Sequence, residues 1–406
     1  MKGNVIILTV LITALMSMTM IMSTRIFMFM SAQSPFQFVT GTDYYAPIDI
    51  AMPKKGTTFT DPNFHTSIVR ITDKSDGYSN DGIENEYSKA DPENSDGTYV
   101  ILRANDGQYF LYDTVTFQMK KLAADIMLGE EPEPRWDASN PKIFYYLYGT
   151  ELLSYNIDTA TSTTIHDFKK EFRSAAYITT KCEGDASLDR RFWSFIVEDS
   201  SYRVISVIVF DKTSNSIVGQ KKRFPDSLNF VSIDMSGKHC IIGYDTHVYS
   251  VFSRDFSTGI DLPRGANGHA DAALTSDGRD VMVYQNTATD WIAMADLDTG
   301  VETQLVYIPF NVSIDIGLHF SGNCANTPGW VLVSTYGCKN PPPGENHSWM
   351  DTQLFMVKLK ANPSIWRIAH THSYISLNFT EEKNYFAEAF ASINTQGSKI
   401  YFGYNW

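Results

Sequence analysis

The fold follows from the stretch DGRDVMVYQNTATDWIAMADLDTG, residues 277–300. An Asp-Gly turn precedes the β-branched and aromatic run VMVY, residues 281–284, and a later apolar run ends in an acidic turn at residues 296–300. Short apolar runs divided by such turns are typical of antiparallel strands. This stretch therefore predicts consecutive strands of one sheet, joined by tight turns.

The same unit recurs along most of the chain. Seven turns each precede an apolar strand, and they follow one another at intervals of about 40–50 residues, apart from a longer last interval. They are Asp96-Gly97, Asn140-Pro141, Asp189-Arg190, Ser236-Gly237, Asp277-Gly278, the Pro328-Gly329 region and Gln396-Gly397. This period, with four short strands in each repeat, is the signature of a β-propeller blade. The sequence therefore predicts an all-β fold, a seven-bladed β-propeller over residues 64–406.

Closure of the predicted ring needs a strand from elsewhere in the chain. The sequence stops shortly after the second strand of the seventh repeat, whereas residues 66–72, TSIVRIT, are strand-like and lie before the first repeat. Pairing them with the last repeat would remove an exposed sheet edge. We expect this strand to close the ring, with residues 33–63 as a linker.

The N-terminal segment, residues 1–32, differs from the rest of the chain. Lys2 is followed by a long apolar run, then by Arg25 and a second apolar stretch. The segment predicts an apolar helix that acts as a signal peptide cut near Ser31-Ala32, as an uncleaved membrane anchor, or as a pilin-like helix packing through residues 4–30 into a filament. Each alternative places the protein outside the cell or at its surface.

Composition narrows the function classes. The chain is 43% hydrophobic and 19% charged, which excludes a disordered protein. Its formal net charge is -13, which would repel a phosphate backbone. Nucleic acid is therefore excluded as a partner.

Polar side chains precede the repeat turns with regularity. In a propeller these positions would line one common central cavity, and residues needed only for packing would be apolar. They are Glu86, Tyr87, Asp91, Arg135, Trp136, Asp137, Glu183, Asp185, Asn229, His269, Asp271, His319 and Glu388. The pattern predicts a binding site in the funnel, with a solvated channel rim as the alternative.

Some of these residues suit an acidic sugar. Arg135 would neutralise a substrate carboxylate, and Tyr87 or His319 would exchange protons during β-elimination. Four further residues are predicted to bind substrate: Glu86, Trp136, Asp185 and Asn229. The alternative for Arg135 is a structural ion pair between neighbouring blades.

Imidazole and carboxylate groups also suggest a divalent metal, Mn, Ca or Zn. These are the ligand types that such ions use. The predicted ligands are His269, Asp271, Glu388, His370 and His372.

Several motifs resemble a group of exported bacterial and archaeal propeller proteins that are distantly similar to oligogalacturonate lyases. They are residues 85–92, NEYSKADP; 133–137, EPRWD; 183–189, EGDASLD; 268–271, GHAD; 328–336, PGWVLVSTY; 367–373, RIAHTHS; and 400–406, IYFGYNW. In oligogalacturonate lyases a His-Pro-His run before the last turn helps to bind manganese. Glu388 and Phe390 stand at those positions here, so both histidines are missing, while His269 matches the remaining histidine ligand.

Two functions remain open from the sequence. The first is an exported propeller that binds an acidic saccharide in its funnel, with lyase-like cleavage as the activity that the resemblance implies. The second is a non-catalytic cell-surface or filament protein that displays a propeller.

Overall fold

The protein is almost entirely β-structure. The computed structural model describes residues 3–9, 36–76, 82–104, 106–121, 131–246, 248–313, 316–337, 346–376 and 378–405. The strands are, in chain order, β1 (Gly3–Thr9), β2 (Val39–Thr40), β3 (Thr58–Thr60), β4 (Ser67–Arg70), β5 (Gly82–Glu84), β6 (Tyr99–Ala104), β7 (Tyr109–Asp113), β8 (Met119–Lys121), β9 (Arg135–Trp136), β10 (Ile143–Tyr148), β11 (Glu151–Asn156), β12 (Thr161–Asp167), β13 (Tyr177–Thr179), β14 (Phe192–Glu198), β15 (Val204–Asp211), β16 (Ser216–Lys221), β17 (Leu228–Ile233), β18 (His239–Tyr244), β19 (Ser250–Ser253), β20 (Gly259–Asp261), β21 (Ala266–Leu274), β22 (Asp280–Asn286), β23 (Trp291–Asp296), β24 (Glu302–Tyr307), β25 (Gly317–Ser321), β26 (Trp330–Tyr336), β27 (Gln353–Lys358), β28 (Ile365–His370), β29 (Ser392–Ile393) and β30 (Lys399–Tyr404). Within those ranges the helices are single turns, at Lys74–Asp76, Phe168–Lys170 and Glu381–Tyr385.

The sheets confirm the predicted propeller but not its blade number. Over the described residues there are six sheets, not seven. Four of them are built from consecutive quartets, β9–β12, β13–β16, β17–β20 and β21–β24, and a fifth joins β25–β28 with β2 at its outer edge. The remaining strands form one nine-stranded sheet. Hydrogen bonding therefore merges the predicted first and last repeats, which is why the blade count of seven is wrong.

The strand β1 causes this merging. It pairs antiparallel with β30, where Asn4 lies opposite Tyr404, and with β4, where Ile6 lies opposite Arg70. It also pairs with β5 in parallel, Gly3 opposite Gly82. The predicted closing strand near residues 66–72 thus reaches the last repeat through β1.

The predicted N-terminal helix is not supported. Residues Gly3–Thr9 form a strand instead, which pairs with β30 on one side and with β4 on the other. Residues 10–35, where the rest of the predicted helix falls, lie outside the described residues. No helix in the described ranges has the length and apolar character needed to cross a membrane.

The hydrophobic core lies between the faces of neighbouring sheets. One cluster joins β21–β24 to β25–β28 through side chains such as Val283, Ile292, Val333 and Phe355. Burying each such side chain stabilises the fold by about 1.5–3 kcal/mol. The same arrangement continues around the ring, so the inner strands are fixed around a common centre.

Two glycines allow the segments near the centre to approach one another. A Cβ at Gly184 would lie 2.0 Å from the carbonyl oxygen of Val231, and one at Gly322 would lie 1.9 Å from that of Ala272. Any larger residue would push these backbones apart.

Candidate functional site

A cavity of about 250 Å³ lies where several sheets meet. Six of the residues predicted from the sequence to share a site line it. They are Glu86, Tyr87, Glu183, His269, His319 and Glu388. The other lining residues are Arg103, Lys181, Cys182, Tyr336 and Tyr385.

The chain reaches the cavity through an unusual turn. Lys181 and Cys182, consecutive residues after β13, have φ angles of 62° and 60°. Left-handed backbone is unfavourable for residues other than glycine, costing about 1–3 kcal/mol where the surroundings enforce it. This turn directs three successive residues, 181–183, to the cavity wall.

The core of the site is a pair formed by His319 and Glu388. The Nε2 atom of His319 lies 2.6 Å from Oε2 of Glu388. Tyr336 also hydrogen-bonds the Glu388 carboxylate. On the other side His269 stacks on His319, with ring centroids 4.5 Å apart. Strands β21, β25 and β26 carry His269, His319 and Tyr336, so neighbouring sheets assemble this cluster.

Burial sets the protonation of this cluster. Burial raises the pKa of the Glu388 carboxyl from 4.5 to about 7, against opposing effects of His269 and of the Tyr336 hydrogen bond. Burial lowers the pKa of His319 to about 3, and burial together with the neighbouring His319 lowers that of His269 to about 4. At pH 7 both imidazoles are therefore neutral. The Glu388 carboxyl is near its pKa there, so its protonated and ionised forms are both populated.

His269 presents a lone pair to the cavity. Its Nδ1 faces the backbone oxygen of Leu318, an acceptor, so this nitrogen carries the proton and donates it. In a neutral imidazole the other nitrogen, Nε2, is then an acceptor.

Three charged groups of the cavity wall are already neutralised by ion pairs. Glu86 is paired with Arg135 at 2.6 Å, Glu183 with Lys89 at 2.7 Å, and Lys181 with Glu198 at 2.7 Å. These charges are therefore unavailable to a ligand without loss of an existing contact.

Arg103 is the exception, and the sequence interpretation missed it. It lies near the end of β6 and lines the cavity. Over the described residues it makes no hydrogen bond or ion pair, although Glu84 and Glu86 are close enough to interact with its charge. The signal was present in the sequence, because Arg103 is a lone charge in the otherwise apolar strand YVILRA. It gives the cavity an unpaired guanidinium.

Arg135 occupies a different position from the one expected of a substrate clamp. Its side chain is buried, and besides Glu86 its guanidinium donates to the backbone oxygens of Pro134 and Gly184. Asp185 lies 3.7 Å away and is bonded at 2.7 Å to Arg190. The geometry is that of an ion pair between neighbouring sheets, the alternative named above.

Two more residues predicted to bind substrate lie away from this cavity. Trp136 is buried, and its indole N–H donates to the carbonyl of Pro92 at 2.8 Å. Asn229 is exposed on β17.

The predicted metal ligands divide into separate groups. Only His269 and Glu388 line the cavity. Asp271 accepts hydrogen bonds from the backbone of Gly322 and Ala272. His370 is buried at the end of β28 with Nδ1 at 2.7 Å from Gln353, and His372 is its neighbour, 6.2 Å away between ring centroids.

A different set forms the candidate metal site. Over the described residues, one group of three potential ligands has its atoms within 4.8 Å of one another: Glu131, Glu133 and Cys182. Both oxygens of Glu133 accept hydrogen bonds from Thr179 or Thr180, and burial raises the pKa of the Cys182 thiol. A protonated thiol beside an occupied carboxylate does not fit manganese, which prefers oxygen ligands.

Comparison with known proteins identifies the fold. No protein-family model and no curated protein matches the chain. Among solved structures, the oligogalacturonate lyase of Vibrio parahaemolyticus is 14% identical with a TM-score of 0.57, over 86% of this chain and 96% of that one. An oligogalacturonate lyase in complex with manganese is 13% identical with a TM-score of 0.56, over 86% and 95% of the two chains. The chain thus has the β-propeller fold of these lyases.

Proposed function

We propose that the protein binds an acidic saccharide in its central cavity and cleaves it by β-elimination. The observation that carries this proposal is the unpaired guanidinium of Arg103, in a cavity whose other fixed charges are paired. A uronic acid supplies the carboxylate that such a group binds through two parallel hydrogen bonds.

Arg103 would also assist the chemistry. Removal of the proton on the carbon next to the carboxylate places negative charge on the carboxylate oxygens. A cation already in position stabilises that charge without reorganisation, and most strongly where water is excluded. Arg103 therefore acts on both substrate and transition state.

Glu388 and Tyr336 provide the proton transfers. The ionised carboxylate of Glu388 takes the proton from the carbon beside the sugar carboxylate, and the C–H electron pair forms a carbon–carbon double bond. The bond from the next carbon to the glycosidic oxygen breaks, and that oxygen takes the proton of the Tyr336 hydroxyl. Glu388 then returns its proton to Tyr336 through their hydrogen bond. A base with a pKa of about 7 suits this role at neutral pH.

The remaining cavity residues hold this pair in place. His319 hydrogen-bonds Oε2 of the Glu388 carboxylate, and Tyr87 packs edge-on against His319 at 5.4 Å. His269 offers Nε2 as an acceptor for a sugar hydroxyl. These are positioning and binding roles, and none of them requires a metal.

The fold supports a lyase-like function at a coarse level. The structural neighbours named above act, by their names, on oligogalacturonate. Their likeness to this chain supports an acidic sugar as the ligand class.

The test is an elimination assay on oligo- and polyuronates, read as the ultraviolet absorbance of the unsaturated product, with and without Mn, Ca or Zn. We expect product, and we expect Arg103→Ala to lower kcat/KM by roughly 10- to 100-fold, the value of a charged hydrogen-bonding contact. Arg279→Ala, an exposed arginine on β22's preceding turn, is the matched control. Absence of unsaturated product on every uronate, or equal activity of Arg103→Ala, would refute the proposal.

A further inference from the structure

We propose that a groove beside the central cavity binds a neutral sugar unit, so that the preferred glycan alternates acidic and neutral sugars. The groove has a volume of about 590 Å³ and lies between the sheets β9–β12 and β13–β16. This inference rests on the proposed function, because the acidic unit occupies the Arg103 cavity.

The groove and the cavity adjoin each other. Lys181 lines both of them. In addition, a carboxylate oxygen of Glu131, in the groove, lies within 4.8 Å of Sγ of Cys182, in the cavity. A chain of sugars bound in the cavity would therefore extend into the groove.

Tyrosine rings form part of the groove wall. Tyr148 is 46% exposed and Tyr202 is 54% exposed. Tyr202 stacks on Tyr177 with ring centroids 5.1 Å apart and planes 5° apart. Flat, exposed aromatic faces offer apolar contact to the C–H face of a sugar ring, while their hydroxyls bond its rim.

A rigid turn presents Tyr202. The turn between β14 and β15 is closed by Asp199, which accepts hydrogen bonds from the backbone of Ser201 and Arg203 and pairs with the Arg203 side chain. Tyr202 itself has a φ of 58°. The ring is therefore held in position before a ligand arrives, which lowers the entropic cost of binding.

Charge selects the kind of sugar. Lys181, the cation among the lining residues of the groove, is paired with Glu198 at 2.7 Å, and Glu131 adds an exposed carboxylate. A second uronate would meet this carboxylate with no unpaired cation beside it. The hydroxyls of a neutral sugar would donate hydrogen bonds to Glu131 instead. The cavity favours an acidic unit, and the groove favours a neutral one.

The experiment compares two tetrasaccharides, one of alternating uronic acid and neutral hexose and one of uronic acid alone, by calorimetric binding and by elimination. We expect the alternating chain to bind roughly tenfold more tightly, about 1.4 kcal/mol. Tyr202→Ala should abolish this preference, whereas Tyr307→Ala, a 40% exposed tyrosine outside the groove, should preserve it. Glu131→Lys should strengthen binding of the all-uronate chain.

The outcomes separate this inference from the proposed function. Tight, Tyr202-dependent binding of the alternating chain without product would support the groove and refute the lyase. Cleavage of both chains at equal rates, unaffected by Tyr202→Ala, would refute the groove and leave the lyase intact. Failure of both chains to bind would overturn the groove proposal as well. Thermal unfolding of each variant checks that the fold is kept.

Discussion

The surroundings of Glu388 affect both the stability and the activity of the protein as pH changes. It is half-buried beside neutral imidazoles, so its carboxyl keeps a proton that an exposed carboxyl would release at pH 5 or 6. The folded pKa lies above the ordinary value of 4.5, and the folded state therefore holds more protons than the unfolded chain between about pH 4.5 and 7. Stability from this group is complete below that window and is lost as pH rises through it.

Activity should rise with pH, whereas the stability that Glu388 contributes falls. The ionised form of Glu388 is the base, so we expect kcat/KM for elimination to rise with pH through an apparent pKa of about 7. Glu388→Gln should abolish elimination and should gain in melting temperature relative to the native protein as pH rises from 5 to 8. Glu381→Gln, at an exposed carboxylate, should change neither profile. A native profile that is flat across pH 7 would contradict this role for Glu388.

Residues before the repeat turns were predictable as a group, but their roles were not. Position in the repeat was enough to place Tyr87, His269, His319 and Glu388 at one cavity. The sequence left the ion pair of Arg135 as one of two alternatives and could not decide between them, since its partner Glu86 and the acceptor Gly184 come from other repeats. In the folded ring these long-range pairs determine that Arg135 is engaged in an ion pair and that Arg103 remains available to bind a ligand.

At the scale of elements, residues Gly3–Thr9 form part of the folded sheet as β1, whereas a cleaved export signal would remove them from the mature protein. A cut near Ser31-Ala32 would remove Gly3–Thr9 and leave β30 and β4 without the strand between them. After such a cut, β30 and β4 would have to pair differently from the way they do in this structure.

We therefore expect the folded protein to retain its N-terminal residues, which mass spectrometry of the purified protein would establish. Ile6→Pro removes a backbone donor from β1 and should lower the free energy of unfolding by about 1–3 kcal/mol. Ile6→Val keeps the strand and is the control. A mature start near Gln33 with unchanged stability would show that β1 is dispensable.

At the scale of the whole molecule, the net charge of -13 opposes an acidic ligand. The attraction of Arg103 is local and partly buried, whereas the repulsion comes from the entire surface. Salt screens exposed charges over a Debye length of about 10 Å at 0.1 M but screens buried pairs much less.

Raising ionic strength from about 0.01 M to about 0.15 M should therefore increase the association rate of an acidic oligosaccharide, since repulsion is screened before attraction. Stopped-flow binding would measure this rate. An uncharged oligosaccharide is the control and should show no change. A rate that falls with salt would mean that a larger positive field than Arg103 guides the ligand.

The period of the sequence predicted the propeller. The recurring turns and apolar runs, which are local features, were sufficient to identify this fold. The blade count depended on a contact that no local signal reports, the pairing of Asn4 with Tyr404. Strand periodicity gives the number of repeats, whereas hydrogen bonding between distant strands gives the number of sheets.

That same pairing has a consequence for biosynthesis. The ribosome makes Gly3–Thr9 long before Lys399–Tyr404, so β1 can pair early with β4 and β5, but its edge toward β30 stays open until the intervening sheets have been made. Contacts between residues so distant in sequence fold slowly, and unpaired apolar segments aggregate. The open edge of β1 is thus a place where a chaperone would protect the nascent chain until the ring closes.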